Sequence, residues 1–190
     1  LVNRLETTTN ATHESATAAA RRELLIFVTV VPILGLAFAV LHNMGYLADT
    51  PLMNLLGLLA FAGTCLLAST WALWPFNTPL RMHTRTALMS AVAFTLIYAT
   101  GWGPALTLGG AFLVGVEVGG HGSRAAWAYA LWLPVGIVGG QLAIATGAAP
   151  TLIPSPEAHG LALVTGGLTE FACIIIAVTT RRREKAHLAL

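Results

Sequence analysis

Charge is scarce in this chain. Of 190 residues, 9% are charged and 56% are hydrophobic, whereas a soluble domain carries about 25% charged residues. That deficit argues against a water-soluble fold of this size. Only two cysteines are present, Cys65 and Cys173. Both sit in apolar blocks without CxxC or Cys/His ligand spacing, so they read as small buried hydrophobes and support neither metal nor disulfide chemistry. The chain has no Walker loop, Rossmann fingerprint, Gly-x-Ser-x-Gly elbow or His-Glu-x-x-His motif. With no polar segment long enough to fold around a substrate, these residues are expected not to form an enzyme, and no cofactor is implied. Residues 1–20 are polar and Thr/Ala-rich and lack the apolar core of a signal peptide. They are expected to form a flexible cytoplasmic tail. The first residue is Leu, which suggests an alternative start codon or a fragment.

What is abundant is apolar sequence in blocks near bilayer length, with a mean hydropathy of +0.74. The expectation is an all-α integral membrane bundle of six transmembrane helices, at about 24–41, 52–74, 86–100, 105–120, 125–148 and 160–180, with residues 181–190 starting a cytoplasmic coupling helix. Pro32 is tolerable inside the first span because neighbouring groups can satisfy the freed carbonyl. Pro51 opens the second span, where a missing N–H costs nothing. Trp71 and Trp74 at the far end of that span suit an interfacial position. Pro75–Arg85 reads as a loop, Gly101-Trp102-Gly103-Pro104 as a tight turn, and Ala149–His159, with three prolines, as another loop.

All ten Lys and Arg residues fall in the N-terminal tail or on alternate connections: Arg4, Arg21, Arg22, Arg81, Arg85, Arg124, Arg181, Arg182, Arg183 and Lys185. The connections at 42–50, 101–104 and 149–159 contain none. By the positive-inside rule both termini are expected in the cytoplasm of a multi-pass protein of the inner cell membrane. The collar Arg181, Arg182, Arg183 and Lys185 suits anionic lipid headgroups rather than nucleic acid.

Five polar residues within the apolar blocks are candidates for intramembrane sensing or polar contacts. Glu170 lies ten residues into the last span, near the bilayer centre. It reads either as a proton-responsive group facing the bundle or as a neutral carboxyl bonded to a neighbouring helix. Glu117 and His121 are four apart and share a face near the cytoplasmic end of the fourth span, where a hydrated interfacial pair is expected; two residues are too few for a metal site. Asn54 and Gln141 occupy the outer halves of their helices and suit interhelical hydrogen bonds or a small outward-facing pocket. Gly115–Gly119 and Gly136–Gly140 have small-xxx-small spacing and read as packing surfaces.

Gly101-Trp102-Gly103-Pro104-Ala105-Leu106, Gly122-Ser123-Arg124, Gly140-Gln141-Leu142-Ala143-Ile144 and the RRREK exit lie along one chain of spans. Together they resemble the N-terminal multi-spanning sensor regions of actinobacterial signalling proteins with diguanylate cyclase and phosphodiesterase (GGDEF and EAL) domains. The layout is also similar to membrane anchors of adenylate cyclases and histidine kinases. The resemblance implies a sensing or anchoring role, dimerisation, and output through the last helix to a cytoplasmic domain beyond residue 190, concerned with cyclic-di-GMP turnover. One alternative is a small transporter or channel lined by Glu170, Gln141 and Asn54. It would show internal pseudo-symmetry and matched broken helices, which Pro32 and Pro134 do not supply. A stand-alone structural membrane protein is the third reading.

Overall fold

The computed structural model describes residues 21, 24–25, 28–73, 78–110, 114–115 and 121–188. Among these the chain is helical and has no strand. The elements in chain order are α1 (Val28–Asn43), α2 (Leu52–Leu73), α3 (Pro79–Ala99), the single turn α4 (Gly103–Leu106), α5 (Ser123–Ala145) and α6 (Ser155–Leu188). Three of them, α2, α5 and α6, are long and apolar enough to cross a membrane. The tail at residues 1–20 and Trp74 lie outside the described residues.

Neighbours in sequence are neighbours in space. Gly35 of α1 faces Leu56 and Leu59 of α2; α2 packs on α3, α3 on α5, and α5 on α6, with α4 set against α6. The interior of this arrangement is rich in small and hydroxylic side chains: Ala125, Ala126, Ala128, Thr86, Thr107, Thr165 and Thr169 are buried. Leu55, Phe94 and Leu133 are buried among them, but many large apolar side chains point outward, such as Val28, Ile33 and Leu36 on α1 and Leu163, Leu168 and Phe171 on α6. A monomer in water rarely exposes contiguous apolar surface on this scale. Small interfaces with an apolar exterior fit helices packed in lipid, where close backbone approach holds neighbours together.

The helix bounds differ from the sequence expectation in ways that have local causes. The stretch Pro75–Arg85, expected as a loop, is already helical from Pro79. Thr78 is the N-cap, its hydroxyl accepting from the Arg81 N–H at 3.4 Å, and Pro79 occupies the first turn. Arg85 is therefore inside α3 and buried, with its guanidinium Nη1 donating to Thr70 Oγ1 of α2 at 2.6 Å. α6 likewise begins at Ser155, inside the expected loop, and runs unbroken for 34 residues through the basic collar; Pro156 falls in its first turn, where proline is tolerated. The span expected at 105–120 is interrupted. α4 ends at Leu106, Thr107 and Leu108 form a turn, and helix resumes at Gly109.

Threonines of α6 bond to the backbone carbonyls at this interruption, adding to local partners: the Thr107 hydroxyl donates to the Pro104 carbonyl and the Gly110 N–H to the Thr107 carbonyl, each at 3.0 Å. Thr165 Oγ1 donates to the Pro104 carbonyl at 2.7 Å, and Thr169 Oγ1 donates to the Thr107 carbonyl at 3.1 Å. The Thr107 and Thr165 hydroxyls are also 2.6 Å apart. Irregular backbone at membrane depth is tolerated where such partners exist.

The three connections without Lys or Arg meet at one end of the molecule. Ala48 N–H donates to the Thr100 carbonyl and Leu152 N–H to the Gly101 carbonyl, each at 3.0 Å. Thr50 Oγ1 donates to the Ala99 carbonyl at 2.8 Å, and Trp102 Nε1 to the Tyr46 carbonyl at 2.6 Å. Gly101 makes the junction possible: its φ is +86°, and a Cβ there would lie 2.8 Å from that of Ala48.

Candidate functional site

α3 forms the floor of a groove whose walls are α2 and α5. The cavity has a volume of about 730 Å³, within the range of small-molecule sites. It runs from Ser90 and Trp132, midway along α3 and α5, to Thr50, Asn54 and Pro150 at the end where the base-free connections meet. Its depth exists because α5 carries glycine where α3 carries aromatic rings. A Cβ on Gly136 would lie 2.1 Å from the Phe94 ring, and one on Gly140 would lie 2.3 Å from the Tyr98 ring. Gly139, by contrast, has nothing within 4 Å of such an atom. The expected packing role of Gly136–Gly140 is thus an α3–α5 contact within one chain.

A hydrogen-bonded chain closes the base-free end of the α3–α5–α6 contact. Gln141 Nε2 donates to Tyr98 Oη at 2.7 Å, and His159 Nδ1 lies 2.7 Å from Gln141 Oε1. Because an amide oxygen only accepts, the His159 Nδ1 carries the proton. The Ser155 hydroxyl lies 3.3 Å from His159 Nε2. The chain links three helices, and Tyr98 also lines the groove. Asn54, exposed on α2, lines the groove mouth; Gln141 reaches the cavity only through Tyr98. The two outer-half candidates are therefore associated with one cavity, although they do not touch each other's hydrogen-bond partners.

At the opposite end, α6 is fastened to α5. Glu184 Oε1 accepts from the Ser123 N–H at 2.8 Å and Oε2 accepts from the Ser123 hydroxyl at 2.5 Å. The Ser123 N–H is one of the unpaired donors at the start of α5, and a carboxylate there also complements the helix dipole. Gly122 turns the chain into this contact with φ +70°, and a Cβ would lie 2.3 Å from Glu184 Oε1. The Ser123 hydroxyl and then its N–H hold the Glu184 carboxyl below the usual carboxylate range, with help from the nearby Arg124 and Arg181 charges, against slight burial.

Glu170 sits on α6 one residue after Thr169 and is half-buried. Its Oε2 is shielded from solvent with no hydrogen-bond partner among the described residues. His121 immediately precedes the Gly122 turn, close to the clamp. Glu117 lies outside the described residues. Arg181, Arg182, Arg183 and Lys185 are exposed on the last turns of α6. Among the described residues there is no cluster of three metal-ligating side chains.

Sequence reasoning missed Tyr98, His159, Ser123 and Glu184 as contact residues. The signal for the last pair was present in the helix-start sequence Gly122-Ser123 and in the one acid within the collar. Comparison of the chain with protein-family models, with curated proteins and with solved structures finds no match.

Proposed function

We propose that the chain is a multi-pass module of the inner cell membrane with both termini in the cytoplasm, which senses or anchors and transmits through α6 to a cytoplasmic output domain. The observation that supports it best is the continuity of α6. One uninterrupted helix joins the Gln141–His159 link at the base-free end to the Ser123–Glu184 clamp and the basic collar at the other. The separation of base-free from basic connections to opposite ends favours the topology. The apolar exterior suits the bilayer, and the collar suits anionic headgroups. Dimerisation and an output in cyclic-di-GMP turnover rest on the family resemblance. No step of chemistry is assigned to these residues.

The test is a fusion of residues 1–190 to a dimer-dependent diguanylate cyclase reporter. Insertion of one, two, three or four residues after Lys185 should change cyclase output with a helical period near 3.6 residues. Output that ignores the inserted length would end the relay reading. Cysteines placed at Asp49 and Arg182 in the full chain should react with impermeant thiol reagents from opposite sides of the membrane.

The interruption at Thr107–Leu108 favours a second reading, a small transporter, since broken helices commonly form substrate sites at membrane depth. Solute flux in proteoliposomes, lost on Glu170→Gln, would support that reading over the first.

A further inference from the structure

The groove carries two polar groups with nothing to bond. Ser90 is buried at 2% exposure, and its hydroxyl is without a hydrogen-bond partner among the described residues; so is Trp132 Nε1 across the cavity. Hydroxyls in membrane helices ordinarily return to the carbonyl four residues back. Thr86 and Thr95 on the same helix do so, to Met82 at 2.9 Å and Ala91 at 2.8 Å. Ser90 does not. A buried donor without a partner is costly and uncommon; both residues line the groove, and each polar atom is closed to solvent, from the groove as from elsewhere.

The rest of the lining narrows the occupant. Among the described residues no Asp, Glu, Lys, Arg or His lines it, which disfavours a charged ligand at this depth. Phe94, Tyr98 and Trp132 provide aromatic surface, and Gly139 leaves a bare strip of α5 beside them. Indole N–H is a donor only, and both groups meet a ligand by turning towards the cavity, the Ser90 hydroxyl between staggered rotamers and the Trp132 ring about its side-chain torsions. The complement to this set is an acceptor oxygen on a flat apolar body.

We infer that the groove binds a neutral, membrane-dissolved carbonyl compound of the aryl-ketone or quinone type, whose oxygen accepts hydrogen bonds from Ser90 and Trp132. The ligand enters from the outer half of the bilayer, past Asn54 and Thr50, with its carbonyl end deep. This rests on the membrane reading above and not on signal relay, so it stands or falls separately from the cyclase fusion. Occupancy bears on α3 and α5, and through Tyr98 and Gln141 on His159 of α6, which gives the proposed module a cue of defined chemistry.

The experiment is photolabelling of the full chain in membranes with an alkyl benzophenone, itself an aryl ketone, followed by mass spectrometry. Label should concentrate on peptides containing Ser90 or Trp132. Fluorenone should protect at about tenfold lower concentration than fluorene, which has the same shape without the oxygen, because a site built for an acceptor loses its hydrogen bonds with the hydrocarbon. Trp132→Phe should keep the aromatic surface and bring that ratio towards one. Gly139→Leu should fill the groove and abolish the label while leaving the thermal transition in place, since a side chain there starts in open space. Equal protection by fluorene and fluorenone in the parent chain would overturn the proposal, as would label spread evenly over lipid-facing α1. A ratio unmoved by Trp132→Phe would overturn it even if Gly139→Leu failed to fold.

Discussion

Glu184→Ala isolates the fastening of α6 to α5. The substitution removes both acceptors of Ser123, at 2.8 and 2.5 Å, and leaves the first N–H of α5 and a serine hydroxyl to water. Hydrogen bonds to a charged group contribute about 1.5–3 kcal/mol when sheltered. Glu184 is exposed, so screening reduces this to about 1 kcal/mol, the usual size of a lost helix cap. A change of that size corresponds to about a fivefold rise in the opening equilibrium. Hydrogen exchange in lipid nanodiscs should show it locally, as faster exchange at Ser123 and over residues 180–188, with the helices in the bilayer unaffected. Glu184→Gln, which keeps one carbonyl acceptor but no charge, should fall between the two. The sign with pH follows from the lowered carboxyl: the folded-state value lies below the ordinary one of 4.5. The contribution is therefore fully present above that ordinary value, and it is lost as pH falls through the lower folded-state value. Exchange at Ser123 that is unchanged by Glu184→Ala at neutral pH would refute the clamp.

The glycines of α5 give a paired test: Gly140→Ala should cost about 1–3 kcal/mol by forcing Tyr98 from its place, whereas Gly139→Ala should be nearly neutral, both read by thermal unfolding in detergent. Tyr98→Phe and Gln141→Leu should each lose about 0.5–1.5 kcal/mol. The double variant should cost less than their sum, since the two share the 2.7 Å bond. Thr165→Val should destabilise by about 0.5–1.5 kcal/mol through loss of its bond to the Pro104 carbonyl, which keeps the Thr107 hydroxyl as a partner, and a cost no greater than that of Thr179→Val, whose hydroxyl bonds only within its own helix, would count against the support of the broken segment.

Helices bounded by strong punctuation were legible from residue order. Pro51 before α2, and Gly122-Ser123 before α5, place those starts within two residues of where they are found. α3 was obscured because Arg81, His83 and Arg85 look like loop polarity, while the physical instruction was the Thr78-Pro79 helix start and the Thr70 partner that lets Arg85 be buried. Three prolines near residue 150 similarly hid that Pro156 falls in the first turn of α6. The interruption at Thr107 leaves little trace in one dimension, since its support comes from hydroxyls some sixty positions away. Asn54 and Gln141 were legible as polar groups in the outer halves of helices. Their shared cavity was not, because it depends on α2 and α5 standing apart across α3, a property of packing rather than of either segment.

The two fastenings of α6 limit how it can move. At Thr165 and Thr169 it holds the carbonyls of a broken segment, and at Glu184 it holds the start of α5. Sliding along its axis would break both sets of bonds together. Between the two fastenings, a length of roughly 22 Å, Cys173 and Ala177 are buried in the same core cluster as Tyr129 and Leu133 of α5, so the helix is braced along its length as well as pinned at its ends. Its free end lies beyond Glu184, and Glu170 stands beside the inner fastening. Release of the Glu184 pin alone would turn the helix into a cantilever, with its displacement greatest at the basic collar.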